Sequence, residues 1–495
     1  MNPPLKKIND LALDAFGWLD RRLHLTELWN ATAGHHVPRD AGSWFYVFGS
    51  ATLLCFMVQL ATGIMLAMVY VPSAAEAYTT LQYLTYEQEL GWFLRAVHYW
   101  GSNFMVGMMI LHMTQVFLFG AYKYPREITW VSGVLLLGLT LGLAFTGQVM
   151  RFDEDAYWGI GIGAAIMGRV PIVGEQMVNL MLGGPIIASE TLSRFFALHV
   201  FVLPGGILAI VSLHLRMVLT KGINEYPKPG VLVHRDTYDQ EYASLIKKEG
   251  VPFFPKAISK DLVFGALVLL GIVGCACYFG PKGPLGPPDP VHIDTLPRPD
   301  FYFLWIFSVA ALMPDWMETV ALLGGPAVIG FILVALPFFN GTGEKSWRRR
   351  PVAMLTVLIV FLSLGLLTYL GLTSPWSPHM DAWKATPTDA KHIVGRSPLE
   401  LQGSLVLQYM QCRNCHAIDG TGGHRGPDLA NVGLRLTKDQ LVRQVIQGGG
   451  NMPAYNKNLS PDQVEALVSY MVSLRPSGVK PATDATLPVP AAASR

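Results

Sequence analysis

Apolar runs of membrane length dominate the chain. They cover approximately residues 44–71, 92–122, 129–150, 191–220, 261–280, 317–339 and 352–372. Each is close to or above the roughly 20 residues a helix needs to cross a hydrocarbon core about 30 Å thick. The pattern predicts an all-α membrane protein: four spans over 44–220, a polar connection over 221–260, then three more spans over 261–372. Within the N-terminal segment 1–43, residues 9–29 (NDLALDAFGWLDRRLHLTELW) predict an amphipathic helix lying on the membrane surface. After the last span a Pro-rich stretch, 373–395, reads as a linker, 396–478 as a small module and 479–495 as a disordered tail. The stretches 151–190 and 281–316 are long and rich in Gly, Pro and aromatics, and the second contains FYFLWIFSVAAL, apolar but too short to span. Loops of that length carry function or are disordered, and the aromatic content argues for order.

The polar positions inside the spans carry the chemistry. The run 92–122 holds His98 and His112, fourteen residues apart, and the run 191–220 holds His199 and His214, fifteen apart. Fourteen helical residues turn through about 1400°, within roughly 40° of four whole turns, and rise about 21 Å. Each helix therefore shows two histidines on nearly one face, at two depths. Two such helices facing each other stack two His/His pairs, His98 with His199 and His112 with His214, each able to hold an iron from both axial sides. That describes two non-covalent b-type haems in one four-helix bundle. The plainer reading is four packing histidines, but ionisable groups inside a span are costly and mark function. Gly49 and Gly63, and Gly133 and Gly147, repeat the fourteen-residue interval on the other two spans, as a macrocycle edge needing a helix surface without β-carbons would require.

Composition narrows the class. The chain of 495 residues is 51% hydrophobic and 15% charged, with a formal net charge of +2, which argues for a membrane protein and against nucleic acid as a partner. The first ten residues, MNPPLKKIND, lack the apolar core of a cleavable signal peptide. With the N-terminus cytoplasmic, nineteen Lys and Arg fall on inner segments of the membrane part and six on outer ones. This fits the positive-inside rule and places the C-terminal module outside, in the periplasm if the source is a Gram-negative bacterium with this chain in its inner membrane. Cys55, Cys275 and Cys277 lie in apolar spans and read as inert. Cys412-Arg413-Asn414-Cys415-His416 is the C-x-x-C-H attachment signature of a covalent c-type haem. A zinc site would want a second ligand pair, and none follows. Gly426-Pro427-Asp428-Leu429 and Met452-Pro453 complete the pattern of a class I cytochrome c, with His416 and Met452 as axial ligands. Met410 adjoins the attachment motif and Met471 lies in a terminal helix, both worse placed.

Over 9–372 the chain resembles cytochrome b of the quinol:cytochrome c oxidoreductase (cytochrome bc) family. It is most similar to the split chloroplast and cyanobacterial type, with the two parts fused. The matching residues are Arg95-Ala96-Val97-His98, Pro125-Arg126-Glu127-Ile128-Thr129-Trp130, Ser193-Arg194-Phe195, His199 and His214, and the fifteen-residue interval is the split-type spacing. Two departures stand out. The cysteine that holds an extra haem in the chloroplast type is Val47 here, in Phe45-Tyr46-Val47, so that attachment is expected to be missing. The quinol-site motif Pro-Glu-Trp-Tyr reads Pro299-Asp300-Phe301-Tyr302, keeping a carboxylate and the phenol.

The resemblance implies quinol oxidation at the outer face, coupled to proton translocation. One electron passes through a separate Rieske iron–sulfur protein to c-type haem, and the other crosses through the two b haems to reduce quinone inside. It implies Asp300 as a proton acceptor beside Tyr302, Arg95 as the partner of an outer-haem propionate, a soluble or membrane-bound cytochrome c acceptor, and a homodimeric complex. Arg216, Lys221 and Asn224 are weak candidates for the inner quinone site. The competing readings are a dihaem membrane anchor of a dehydrogenase, exchanging electrons with quinone without bifurcation, and an electron-carrying or assembly subunit with no quinone site.

Overall fold

The computed structural model describes residues 3–184, 187–288, 298–313, 315–373, 387–410, 412–423, 426–448, 452, 455 and 459–483. Most of the expected linker, Pro453 and the end of the expected tail lie outside them. The described chain is almost wholly helical.

The expected single surface helix over 9–29 is two helices, Pro3–Leu23 (α1) and Leu25–Ala31 (α2), broken at His24, whose φ is 51°. The break has a local cause: Asp20 accepts hydrogen bonds from the backbone N–H of Thr26 at 2.6 Å and from its hydroxyl at 2.9 Å. A carboxylate so placed satisfies donors that a fresh helix start leaves open. The strand His36–Pro38 (β1) follows.

Four spans then form the first bundle. Phe48–Ala67 (α3), Gly91–Leu118 (α5) and Glu127–Val149 (α6) are continuous, with the short helix Ala77–Tyr86 (α4) between the first two. The fourth span is composite: Ser189–Ala197 (α9), a π-turn over Leu198–Val202, then Leu203–Lys221 (α10). In that turn the N–H of Leu203 reaches back five residues to the carbonyl of Leu198. One extra residue is absorbed there, so fifteen residues from His199 to His214 advance the helix much as fourteen do on α5. Helix α3 packs on α5 and α6 on α10. Ala51, Cys55, Met105, Ile207 and Ile272 close the core between them.

The stretch 151–190 is ordered into Glu154–Gly168 (α7) and Gly174–Leu182 (α8). Asp153 caps α7 by accepting from the N–H of Ala156 at 3.0 Å. The connection 221–260 holds the strand Leu232–Val233 (β2), the helix Tyr238–Glu249 (α11) and the strand Gly250–Pro252 (β3). Strand β3 pairs with β1, and β2 pairs with Gly343–Glu344 (β4). These short ladders tie the two halves of the membrane part together at one end.

The later helices are Ile258–Phe279 (α12), Phe301–Leu312 (α13), Asp315–Thr319 (α14), Gly325–Phe339 (α15) and Pro351–Thr373 (α16). Helix α13 coincides with the short apolar segment expected from sequence, and packs on α16. Helix α12 lies against α3 and α5, and Trp130 of α6 donates to the carbonyl of Leu333 on α15 at 2.6 Å. Among the described residues, six helices are long and apolar enough to cross a membrane by length and composition. The seventh expected span, α5, is 28 residues long, about 42 Å at 1.5 Å per residue. Arg95, His98, Asn103, His112 and Gln115 dilute its apolar character without shortening it. The chain is a multi-pass membrane protein.

The C-terminal module consists of Pro398–Tyr409 (α17), a small hairpin of Ala417–Ile418 (β5) and Thr421–Gly422 (β6), then Val432–Arg435 (α18), Lys438–Gln447 (α19) and Pro461–Ser473 (α20). Three of its helices begin with reciprocal capping boxes, Ser397 with Glu400, Thr437 with Gln440 and Ser460 with Gln463. Gly403 lets α17 and α20 touch, since a β-carbon there would stand 2.0 Å from the carbonyl oxygen of Ala466.

Candidate functional site

The structure brings the four membrane histidines together with the four glycines one to one. A β-carbon on Gly63 would lie 3.2 Å from Cε1 of His98, on Gly49 3.1 Å from that of His112, on Gly147 2.8 Å from that of His199, and on Gly133 3.7 Å from that of His214. Each bare backbone thus receives the edge of an imidazole from the helix it packs against.

Three of the rings are also held by a hydroxyl. Thr62 meets Nδ1 of His98 at 2.8 Å, Thr146 meets Nδ1 of His199 at 2.9 Å, and Ser132 meets Nδ1 of His214 at 2.8 Å. Each hydroxyl already donates its proton to a carbonyl of its own helix, Val58, Gly142 and Thr129 respectively. Its oxygen is therefore the acceptor, Nδ1 carries the hydrogen, and Nε2 presents a lone pair. Metal-bound histidines are held in this way. The rings of His98 and His199 stand 6.3 Å apart, centre to centre. That is close to two metal–imidazole bonds of about 2 Å plus the two ring half-widths. The residues fit an iron held from both sides.

Sequence reading passed over the hydroxyls, although their signal was present. Thr62-Gly63, Ser132-Gly133 and Thr146-Gly147 are hydroxyl–glycine dipeptides, and the fourth position reads Phe48-Gly49. Nδ1 of His112, opposite Phe48-Gly49, has no hydrogen-bond partner among the described residues.

At the His98–His199 end, Asp300 and Tyr302 meet. The phenol of Tyr302 donates to one oxygen of Asp300 at 3.1 Å, and the ammonium of Lys282 donates to the other at 2.8 Å. Both Asp300 and Tyr302 are 7% exposed. Asp155, which sequence reading passed over, is a further carboxyl at this end, among Arg151, Asp153 and Lys282, and burial raises its pKa above the ordinary value. Arg95 is buried, and its guanidinium bonds to Thr85 and to the carbonyls of Lys282 and Gly283, clasping the start of the 281–316 stretch.

At the other end of the bundle Phe45 and Tyr46 pack on Phe119, and Val47 is buried. Of the three weak inner candidates only Asn224 is buried, while Arg216 and Lys221 are exposed. A network absent from the sequence reading lies beside Asn224. Arg126 donates to Tyr238 at 2.7 Å, Tyr238 to Glu225 at 2.8 Å, and Lys345 to Glu225 at 2.6 Å. Burial brings the Lys345 ammonium down to about 8. Burial works to raise Glu225, but Lys345 and Arg126 hold it below the usual carboxyl range.

In the C-terminal module, Nδ1 of His416 bonds to the carbonyl of Pro427 at 2.8 Å, leaving Nε2 as the free nitrogen, and burial lowers the imidazole pKa, favouring the neutral ligand form. Gly426 leaves room for that ring, where a β-carbon would stand 2.3 Å from Cε1. Cys412 and Cys415 are not joined in a disulfide. Met410 and Met471 are buried in the module's core, whereas Met452 is only partly buried and its sulfur accepts from Gln444 at 3.4 Å.

Known proteins resemble this chain in both its membrane part and its C-terminal module. The family Cytochrome b/b6/petB matches residues 34–222. Cytochrome b6 of Synechococcus elongatus is 39% identical over 209 residues, 42% of this chain and 97% of that protein. The chain belongs to the cytochrome b/b6 family. Cytochrome b6 of a Synechocystis species is likewise 39% identical over 209 residues, covering 94% of its length. The family Cytochrome C oxidase, cbb3-type, subunit III matches residues 402–471, so a cytochrome c domain is fused behind the cytochrome b part. A solved structure titled hyperthermophilic respiratory Complex III matches with a TM-score of 0.62 and 27% identity, covering 73% of this chain and 92% of that one. That share exceeds what residues 34–222 alone could supply.

The glycine contacts rank the four positions. Gly147→Ala places a methyl 2.8 Å from His199, whereas Gly133→Ala makes an ordinary 3.7 Å contact. G147A should therefore displace the His199 ring and perturb the haem spectrum, and G133A should leave it as in wild type, as read in reduced-minus-oxidised difference spectra. Equal spectra from the two variants would sink the ranking.

Proposed function

We propose that this chain is the cytochrome b/c subunit of a quinol:cytochrome c oxidoreductase, with two b-type haems at His98/His199 and His112/His214 and one c-type haem bonded to Cys412 and Cys415 and ligated by His416 and Met452. The observation that carries the reading is the pairing of His98 and His199 at 6.3 Å, with hydroxyls turning both Nε2 atoms free. When bound, the haems supply one-electron carriers at two depths of the bundle and in the C-terminal module.

The chain's own residues do the rest. Glycines seat the imidazoles, and Thr62, Ser132 and Thr146 hold the tautomer. Oxidation of a quinol releases two protons and two electrons. Asp300 accepts a hydroxyl proton at the His98–His199 end, Tyr302 and Lys282 position its two oxygens, and Asp155 is a second carboxyl able to take a proton there. The chain carries no Rieske cysteine–histidine boxes, so the first electron leaves through a separate iron–sulfur protein. With nineteen basic residues at the opposite end against six here, this end faces outward and the cytochrome c domain lies outside with it.

Pyridine haemochrome analysis of the purified chain should give b and c haem in a two-to-one ratio. A second covalent haem would contradict the assignment of Val47 as a position without attachment. A subtler expectation concerns Phe48. Phe48→Thr restores the missing hydroxyl–glycine dipeptide beside His112, giving Nδ1 an acceptor. A hydrogen-bonded imidazole is a more basic ligand and favours the oxidised iron. One b haem should therefore move to lower midpoint potential in a redox titration, and an unchanged potential would count against the dipeptide's role.

A further inference from the structure

We infer that Arg151 binds a propionate carboxylate of the porphyrin seated between His98 and His199. The inference rests on the two-haem reading above.

The Arg151 side chain is 9% exposed, and its Nε and both terminal nitrogens are buried without a hydrogen-bond partner among the described residues. A guanidinium has five N–H donors, and leaving them dry and without acceptors is costly. The nearby carboxylates of Asp153 and Asp155 offset part of the charge without accepting from those donors. The neighbouring carboxylate, Asp153, is 3.7 Å away, and its two oxygens already accept from the N–H groups of Ala156 and Leu285. Arg95, close enough for mutual repulsion, adds a second positive charge.

Position identifies the acceptor. Arg151 lies four residues beyond Gly147, one turn further along from the residue that seats the His199 ring. A porphyrin gripped by that ring carries two carboxylates on one edge, and a planar fork of donors matches a carboxylate with two parallel bonds. A quinol head offers single-point acceptors, which would leave most of the five donors unmet. The sequence expectation gave the propionate role to Arg95, but the guanidinium of Arg95 is engaged with Thr85 and two backbone carbonyls.

The test uses the full-length protein with its haems, comparing wild type, Arg151→Gln and Arg151→Lys. In R151Q the propionate bending band of one b haem should shift in resonance Raman spectra, and the midpoint potential of that haem should fall, because a cation near the iron favours its reduced form. The other b haem and the c haem should be unmoved. R151K should recover much of the potential but not the band position, since an ammonium lacks the fork. Loss of a single b haem in R151Q with its retention in R151K would also support the assignment. Two intact b haems with an unshifted propionate band in R151Q would overturn it and leave a diffusible anion as the occupant. Absence of b haem from the wild type would instead defeat the two-haem reading. If neither variant assembles, infrared redox-difference spectra of wild type carrying ¹³C-labelled propionates decide. Signals typical of carboxylates free of guanidinium on both b haems would overturn the proposal.

Discussion

Asp300→Asn should slow quinol oxidation by about 10²–10⁴-fold, the usual contribution of a positioned general base, while every haem spectrum stays intact. The separation of effects follows from position. Asp300 precedes α13 and bonds to Tyr302 and Lys282, neither of which lies on a histidine-bearing helix. An amide keeps the shape and its oxygen can still accept from Lys282, with its NH2 turned to the Tyr302 oxygen, but it cannot take a proton. The loss should fall towards the lower end of the range if Asp155 or a water molecule takes over part of the role. Steady-state quinol:cytochrome c reductase activity across pH, on the complex with its iron–sulfur partner, is the measurement. Wild-type turnover at every pH would make this carboxylate structural.

Replacing His112 or His214 with Leu should remove one b haem and leave the other, together with the c haem. The two pairs are separated along α5 by fourteen residues, about 21 Å, so losing one pair leaves the second with its own glycines and hydroxyls. The haemochrome ratio of b to c should drop from two-to-one to one-to-one, and electron transfer to the His112–His214 side of the membrane should stop. Native b spectra at full amplitude in both variants would defeat the pairing. Because Leu at either position keeps an apolar span, the c-type signal serves as the check on folding.

Much of this architecture was readable because its period is regular. Histidines and glycines recur at fourteen residues on three helices and at fifteen on the fourth, and hydropathy marks the spans within a few residues. C-x-x-C-H and its downstream glycine and methionine are local signatures that need no tertiary information. What escaped was set by contacts between distant segments. The pairing of β2 with β4 joins residues 232–233 to 343–344, and no local pattern announces so short a ladder. Helices α7 and α8 looked like loop because glycine and proline masked their period. The break at His24 depended on a carboxylate six residues before the threonine it caps. The hydroxyl partners of the histidines were the nearest miss, since the dipeptides stood in plain sight but their orientation appears only when α3 meets α5 and α6 meets α10. The Glu225–Lys345 pair, 120 residues apart, had no signature in either segment.

The π-turn at Leu198–Val202 makes length and phase independent on the fourth span. Deleting one residue between His199 and Leu203 should relax the widened turn into regular helix with a fourteen-residue interval, and both rings would still face their partners. The same deletion between His98 and His112, where α5 has no slack, would swing one ring about 100° out of register. A single-residue length change should thus be tolerated on one histidine helix of this chain and not on the other, an asymmetry between two helices that otherwise do the same work.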